Sequence, residues 1–264
     1  MISSLVNRLA RRRVQRQLRS GPGIVQTRFF GCDLLVRAHE DVGRNIVLGD
    51  FEKQDLQHFL SAARDGDVVF DAGANVGAYC VPVARQCRQA RVIAFEPIPL
   101  NAALLRASAL LNGLDNLEVV QACVSNTTGD IEFSVSEDSA YSSIIDTGRK
   151  SEAARLRCRA VTLDAHCAAM GIASPDLIKV DVEGAELCVL RGASRAFADS
   201  KSGPRLVMVE LYDQNLQAFG TSIGEVVDLM TSRGYRPYVL VEGQRVPFLA
   251  EHHNQHYNVF FEKG

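Results

Sequence analysis

The sequence predicts an α/β fold, a doubly wound and mostly parallel sheet covered by helices on both faces. Three observations predict it. Val68 to Phe70 is a short apolar run that ends in Asp71 and passes, through a turn spaced by Gly73 and Gly77, into the helical stretch Ala78 to Gln89. Val92 to Phe95 repeats the pattern and ends at Glu96-Pro97. The run before Asp181 repeats it again, with Glu183-Gly184 close behind. Length sets the scale: 264 residues, 47% of them hydrophobic, suit one large domain and leave too little chain for two.

The chain opens with a basic arm, Met1 to Ser20, which carries six arginines and no acid. Taking those six charges from the chain total of −2 leaves −8 on the rest, so the arm sits on an acidic body. Ile2, Leu5, Val6 and Leu9 recur at helical spacing, which predicts an N-terminal basic helix suited to a peripheral membrane contact through anionic lipid, or to a partner. A solvated terminal helix and a mitochondrial transit segment fit the same composition. No apolar run approaches the roughly 18 to 20 residues of a bilayer span, and no secretory leader is evident. The seven cysteines are odd in number, scattered, and never spaced as C-x-x-C, which predicts reduced, buried thiols and a cytoplasmic protein.

Residues 21–264 are expected to form the single domain, with a core of about 49–261. Gly21 to Gly23 breaks the arm. Arg28 to Arg37 and Asn45 to Leu48 read as short strands capping the cleft, followed by a helix over Phe51 to Ala63. After the second central strand, Asn101 to Leu111 reads as a helix and Leu117 to Val124 as the third strand. Asp130 to Val135 and Leu156 to Leu163 predict a small antiparallel insertion between the third and fourth central strands. The polar segment between them reads as a mobile loop, with Tyr141, Ser142 and Ser143 as acceptor contacts. Asp164 to Met170 is a short helix, Asp176 to Asp181 the fourth strand, and Arg205 to Glu210 the fifth with Glu210 at its tip. Ile223 to Gly234 reads as a helix; Pro237 to Val241 and Tyr257 to Phe261 close the sheet.

The turn after the first central strand carries the chemistry. Its spacing, Asp71-x-Gly73-x-Asn75-x-Gly77, departs from the dinucleotide fingerprint: an acid precedes the first glycine and the third glycine is missing. A carboxylate there repels a pyrophosphate and suits a cationic ligand, which favours S-adenosylmethionine over NAD. Glu96 stands where nucleotide-binding α/β folds place the acid that accepts from ribose hydroxyls, and Pro97 ends the strand at that tip. Cys123 holds the equivalent tip of the third strand, so the adenine would rest on backbone groups near Cys123 and Val124. In a doubly wound sheet the fourth strand lies beside the first, so Asp181 should face the tip of Asp71 where substrate meets cofactor.

Asp71-Ala-Gly-Ala-Asn-Val-Gly, paired with Ile178-Lys-Val-Asp-Val-Glu-Gly-Ala-Glu and then Leu190-Arg-Gly-Ala193, resembles the FkbM-type methyltransferases of the class I, Rossmann-like fold. The resemblance spans about Gly49 to Phe261. It implies a seven-stranded sheet whose last strand is antiparallel, and O-methylation of a sugar, glycolipid or natural-product hydroxyl. By position it implies that Asp71 to Gly77 hold the methionine moiety, that Glu96 holds the ribose and that Asp181 lies near the transferred methyl. Phe51-Glu52 is similar to the family's aromatic-Glu pair and Asn258 to its late asparagine, which adds Glu52 and Asn258 to the acceptor side.

The expected reaction is attack of a deprotonating hydroxyl on the sulfonium methyl, for which the protein supplies alignment and a proton acceptor. Asp181 is the first candidate for that acceptor and Glu210 the second; Glu183 and a histidine such as His253 stand nearby in the pattern. A divalent ion on Asp181, Glu183 and Glu210 would lower the acceptor's pKa, but no metal signature calls for one. The acidic body argues against a nucleic-acid substrate. A non-catalytic cofactor-binding module is the alternative from another class; oligomeric state is not readable.

Overall fold

The computed structural model describes residues 23–198, 203–249 and 256–264. The basic arm Met1 to Ser20 and the candidate His253 lie outside these residues.

The centre is an eight-stranded sheet of order β12-β11-β13-β10-β9-β3-β4-β5. Its strands are β3 (Val68–Ala72), β4 (Arg91–Phe95), β5 (Leu117–Val120), β9 (Leu177–Val180), β10 (Leu206–Tyr212), β11 (Tyr235–Val241), β12 (Gln244–Pro247) and β13 (His256–Lys263). The five strands from β5 to β10 are parallel, and β13 runs antiparallel between β10 and β11. The chain winds outward from β3 to β5, then returns to lay β9 against the other side of β3. That reversal is the switch point the fold predicts for a ligand.

Apolar runs covered on both faces make these strands. Phe70, Ile93, Val180 and Val209 are fully buried. One face packs on the hairpin β1 (Ile24–Phe29) and β2 (Cys32–Arg37) and on helices α2 (Lys53–Ala62), α3 (Cys80–Gln86) and α4 (Pro99–Leu111). The other packs on α5 (Leu163–Met170), α6 (Glu186–Arg191), α7 (Asp213–Ala218) and α8 (Ile223–Ser232). All seven cysteines are free thiols. Among the described residues no helix is long and apolar enough to cross a membrane.

The structure departs from the expected layout in four places. Asn45 to Leu48 is not a strand but the end of helix α1 (Asp41–Leu48), closed by Gly49 at φ 67. The Gly49 amide donates back to Asn45 O and Ile46 O, a left-handed helix stop that a four-residue apolar run hides. The expected third strand breaks in two. β5 ends at Val120, Ala122 N turns back onto Val120 O, and β6 (Cys123–Val124) joins the insertion as a three-stranded sheet with β7 (Gly129–Ser136) and β8 (Glu152–Val161). The main sheet has eight strands, not seven, because a two-residue turn at Glu242-Gly243, with φ of 51 and 78, folds β12 back on β11. Last, the loop expected to be mobile is pinned. Asp138 accepts from Asp41 N at 2.8 Å, Tyr141 OH donates to Asp41 at 2.6 Å, and Ser139 donates to Glu40.

Candidate active site

A cleft opens at the carboxyl ends of β3, β4, β9 and β10. Of the expected site residues it is lined by Gly73, Asn75, Glu96, Pro97, Cys123, Val124, Asp181, Glu183, Glu210, Glu52 and Ser142. Asp71, Gly77, Tyr141, Ser143 and Asn258 are not among its lining residues. The loop after β7 roofs it with Ser139, Ala140 and Ile144, and Val42 and Phe51 close it from the N-terminal side.

The glycine turn is fixed from below. The amides of Gly73 and Ala74 both donate to Phe95 O at 3.0 Å, tying the turn to the end of β4. Gly73 sits at φ 82, and a Cβ there would stand 1.7 Å from Asp181 O, so this glycine is where the ends of β3 and β9 touch. Gly73→Ala is therefore expected to destabilise the fold by more than the roughly 1 to 2 kcal/mol that left-handed backbone alone costs an L residue, which denaturant unfolding would measure. Gly77 has a different duty from the expected one. A Cβ there would meet Leu105 Cδ1 at 2.2 Å, so it lets α4 pack against the turn.

Asp71 does not face the cleft as expected. Its Oδ2 accepts from Cys80 N at 3.2 Å at the start of α3, and its Oδ1 lies 3.5 Å from Lys179 Nζ. Buried at 2% exposure, it holds the turn rather than meeting a ligand. Glu96 does face the cleft. Asn75 N donates to its Oε2 at 2.8 Å and Ile98 N to its Oε1 at 2.9 Å, so the carboxylate is aimed by the two backbone segments flanking it. Cys123 and Val124 line the cleft from β6 of the small sheet, not from the tip of a central strand. The Cys123 thiol lies 3.5 Å from Cys158 Sγ.

Burial pushes the Glu96 carboxyl up to about 7 even though both amides favour its charged form. Burial does the same to Glu186, which takes amides from Val182 and Gly184 and is also pushed up to about 7. A carboxyl near 7 in the folded chain and about 4.3 in the unfolded chain takes up a proton on folding between those values. Stability contributed this way is full below the unfolded value and lost as pH rises through 7. The ligand-free protein is thus expected to melt several degrees higher near pH 5.5 than near pH 8, the reverse of ordinary acid denaturation; a thermal scan across that range checks it.

The side of the cleft formed by the ends of β9 and β10 is built on Lys179, which sequence reading passed over. It is 4% exposed, and its Nζ lies 3.0 Å from Asp181 Oδ2 and 3.2 Å from Gly73 O. Burial alone would lower this lysine, but Asp181, Asp71 and Glu52 outweigh it and hold the ammonium charged. Asp181 stands beside β3 as expected, its N donating to Ala72 O at 3.0 Å. Burial and then the facing Glu210 push its carboxyl well above the usual range, and Lys179 pulls it back. Glu210 is not at a strand tip: β10 continues to Tyr212. Glu52 accepts from Tyr79 OH at 2.7 Å.

Oxygens of Asp181, Glu183 and Glu210 converge within 4.8 Å of one another. Lys179 already pairs with Asp181, while Arg149 and the Asn215 amide each reach Glu183 at 2.6 Å. Protein cations thus serve two of the three carboxylates, and a metal is not needed to explain their meeting. Ser143 and Tyr141 prove to be anchors of the roof; Ser143 Oγ donates to Val182 O at 3.1 Å. Asn258 lies opposite Glu210 in the β10–β13 ladder and donates to Asp55 at 3.0 Å.

A family model described as the methyltransferase FkbM domain matches residues 71–237. The chain belongs to the FkbM methyltransferase family. Among relatives of this FkbM methyltransferase, the 31-O-demethyl-FK506 methyltransferase FkbM of Streptomyces tacrolimicus is 29% identical over 207 residues, covering 65% of this chain and 74% of that protein. Hexuronic acid methyltransferase AglP of Haloferax volcanii is 26% identical over 213 residues, covering 79% and 84%. The 2-O-methyltransferase NoeI of Sinorhizobium fredii is 25% identical over 179 residues, covering 62% and 71%. The Pyrococcus horikoshii protein PH0793, described as a transferase, superposes with a TM-score of 0.50 at 11% identity over 92% of this chain and 71% of its own, a likeness of fold alone. The enzyme class expected from the sequence is the one this family occupies.

The family span begins at Asp71, so Val42, Phe51 and Glu52 reach the cleft from outside it. Sequence reading also missed Tyr79, Phe133 and Ile144, which line the cleft, and Arg149, which lies against Glu183 between the rings of Tyr141 and Tyr212 at 4.4 and 4.5 Å. Only Phe133 carried a local signal, as an apolar position in a predicted strand.

Proposed function

We propose that this FkbM methyltransferase methylates a hydroxyl of a sugar or natural-product acceptor with S-adenosylmethionine as donor. One observation carries the reading: Glu96 and Asp181, from the two sides of the switch point, line one cleft whose other acids are Glu52, Glu183 and Glu210 and whose one lining cation among the described residues is Lys179. So acidic a cleft repels a pyrophosphate and accommodates a sulfonium and an ammonium. Its residues fit the donor: Glu96 has its carboxylate pre-aimed by two amides for ribose hydroxyls, and Asn75 and Gly73 offer a turn without bulk. The relatives' names, which include a hexuronic acid and a 2-O position, support a sugar acceptor.

When bound, the donor supplies a methyl group on a sulfonium, which is a good leaving group. The chain's own work is then to align and to accept a proton. Asp181 takes the acceptor's hydroxyl proton; burial and the facing Glu210 raise its carboxyl above the usual range, which makes it a stronger base than an ordinary carboxylate. Lys179 holds Oδ2 of that carboxylate and so sets its pitch. The roof from Ser139 to Ile144 excludes water from the reacting end.

Calorimetry with S-adenosylmethionine, S-adenosylhomocysteine and NADH tests the donor, and methyl transfer from labelled donor to methyl glycosides of hexoses and hexuronic acids, read by mass spectrometry, tests the acceptor. Binding of the first two ligands and not the third is expected. Tight NADH binding would overturn the reading, and donor binding with no transfer to any glycoside would leave a natural-product hydroxyl as the target.

A further inference from the structure

We propose that Lys179 is a positioning residue that couples the two halves of the site, holding the glycine turn through Gly73 O and the acceptor-side carboxylate through Asp181 Oδ2 with one ammonium. The inference deepens the proposed methyl-transfer reading and rests on it. Its geometry is unusual for a lysine: 4% exposed in the last turnless stretch of a central strand, flanked by the fully buried Ile178 and Val180. The ammonium reaches Gly73 O at 3.2 Å and Asp181 Oδ2 at 3.0 Å, and stands 3.5 Å from Asp71 Oδ1 and 5.3 Å from the centre of the Tyr79 ring. A compact charge with three tetrahedral donors fits three oxygens that lie on different segments; a planar guanidinium does not.

Each contact has a consequence. The bond to Gly73 O fixes the carbonyl on the residue whose Cα already abuts the end of β9, so the turn keeps one distance from Asp181. The bond to Asp181 Oδ2 gives that carboxylate one orientation and favours its charged form. The other groups facing Asp181 oppose this: Glu52 ahead of α2, Glu210 on β10 and Glu183 on the following turn are acids, Asp71 on β3 shares the same lysine, and Tyr79 ahead of α3 is a neutral phenol engaged by Glu52. Lys179 is the cation set against that group.

The test uses the full chain labelled with carboxyl carbon-13 aspartate, titrated by NMR from pH 5 to 9, with the Asp181 signal assigned by its loss in Asp181→Asn. In Lys179→Met the Asp181 midpoint is expected to rise by about 1 to 3 pH units, the effect of removing an opposite charge at this range. Affinity for S-adenosylmethionine, read by calorimetry, is expected to fall about tenfold or more as the turn loses its charged donor. Lys179→Gln keeps a donor for Gly73 O without the charge, so its midpoint should rise while its affinity stays within a few-fold; it also carries the titration if the methionine variant does not fold. A wild-type midpoint in both variants, or in the glutamine variant alone where the other is insoluble, overturns the coupling. Failure of the unmutated chain to bind S-adenosylmethionine would instead sink the donor assignment and leave the Lys179 titration standing as a separate result.

Discussion

Asp181→Asn is expected to bind S-adenosylmethionine within a few-fold of the parent and to lose about two to four orders of magnitude of turnover, the range that general-base groups contribute. The asparagine keeps the volume of the side chain and can turn its oxygen toward Lys179, so the end of β9 and its bond to Ala72 O have no reason to move. What disappears is the carboxylate's charge and with it the capacity to accept a proton. Single-turnover transfer with saturating donor separates this from weakened binding. Full activity in the variant would move the proton acceptor to Glu210, which shares the cleft and lies within 4.8 Å of the same cluster.

Glu96→Ala is expected to weaken S-adenosylmethionine by about ten- to a hundredfold, the range of roughly 1.5 to 3 kcal/mol for a hydrogen bond to a charged group. The substitution strands ribose hydroxyls and leaves Asn75 N and Ile98 N without their acceptor, so the turn and the start of α4 lose a common tie. The same variant should melt with a flatter dependence on pH, because one of the two carboxyls raised to about 7 is gone. Calorimetry giving an unchanged affinity would remove the ribose assignment.

Strands β3, β4 and β9 were legible in the sequence because each is a short apolar run with an acid at its end, whereas β5, which ends at Val120 without an acid, and β10, which runs on past Glu210, were misjudged at their ends. The position of Asp181 followed from sheet order, since the winding brings β9 back to β3, and that of Glu96 from its place at the end of the second strand, roughly twenty residues past the glycine turn. What escaped has a common cause in distance along the chain. Lys179 reads as one polar residue in an apolar run, and its meaning lies in Gly73 and Asp71 on another strand. The segment after β7 reads as a free polar loop because its anchors, Glu40 and Asp41, come from the far N-terminal side. Asp71 was assigned to the ligand because an acid beside glycines advertises charge, and nothing local reveals that Cys80 N and Lys179 claim it first.

The roof over the cleft is fastened to α1 and the residue before it, while the floor is the sheet. The floor must keep Gly73 against Asp181 O, which leaves it almost no room to vary, whereas the roof and its anchors need only keep each other. On the proposed reading, Val42, Phe51 and the segment from Ser139 to Ile144 can be reshaped together to suit another acceptor without moving the glycine turn.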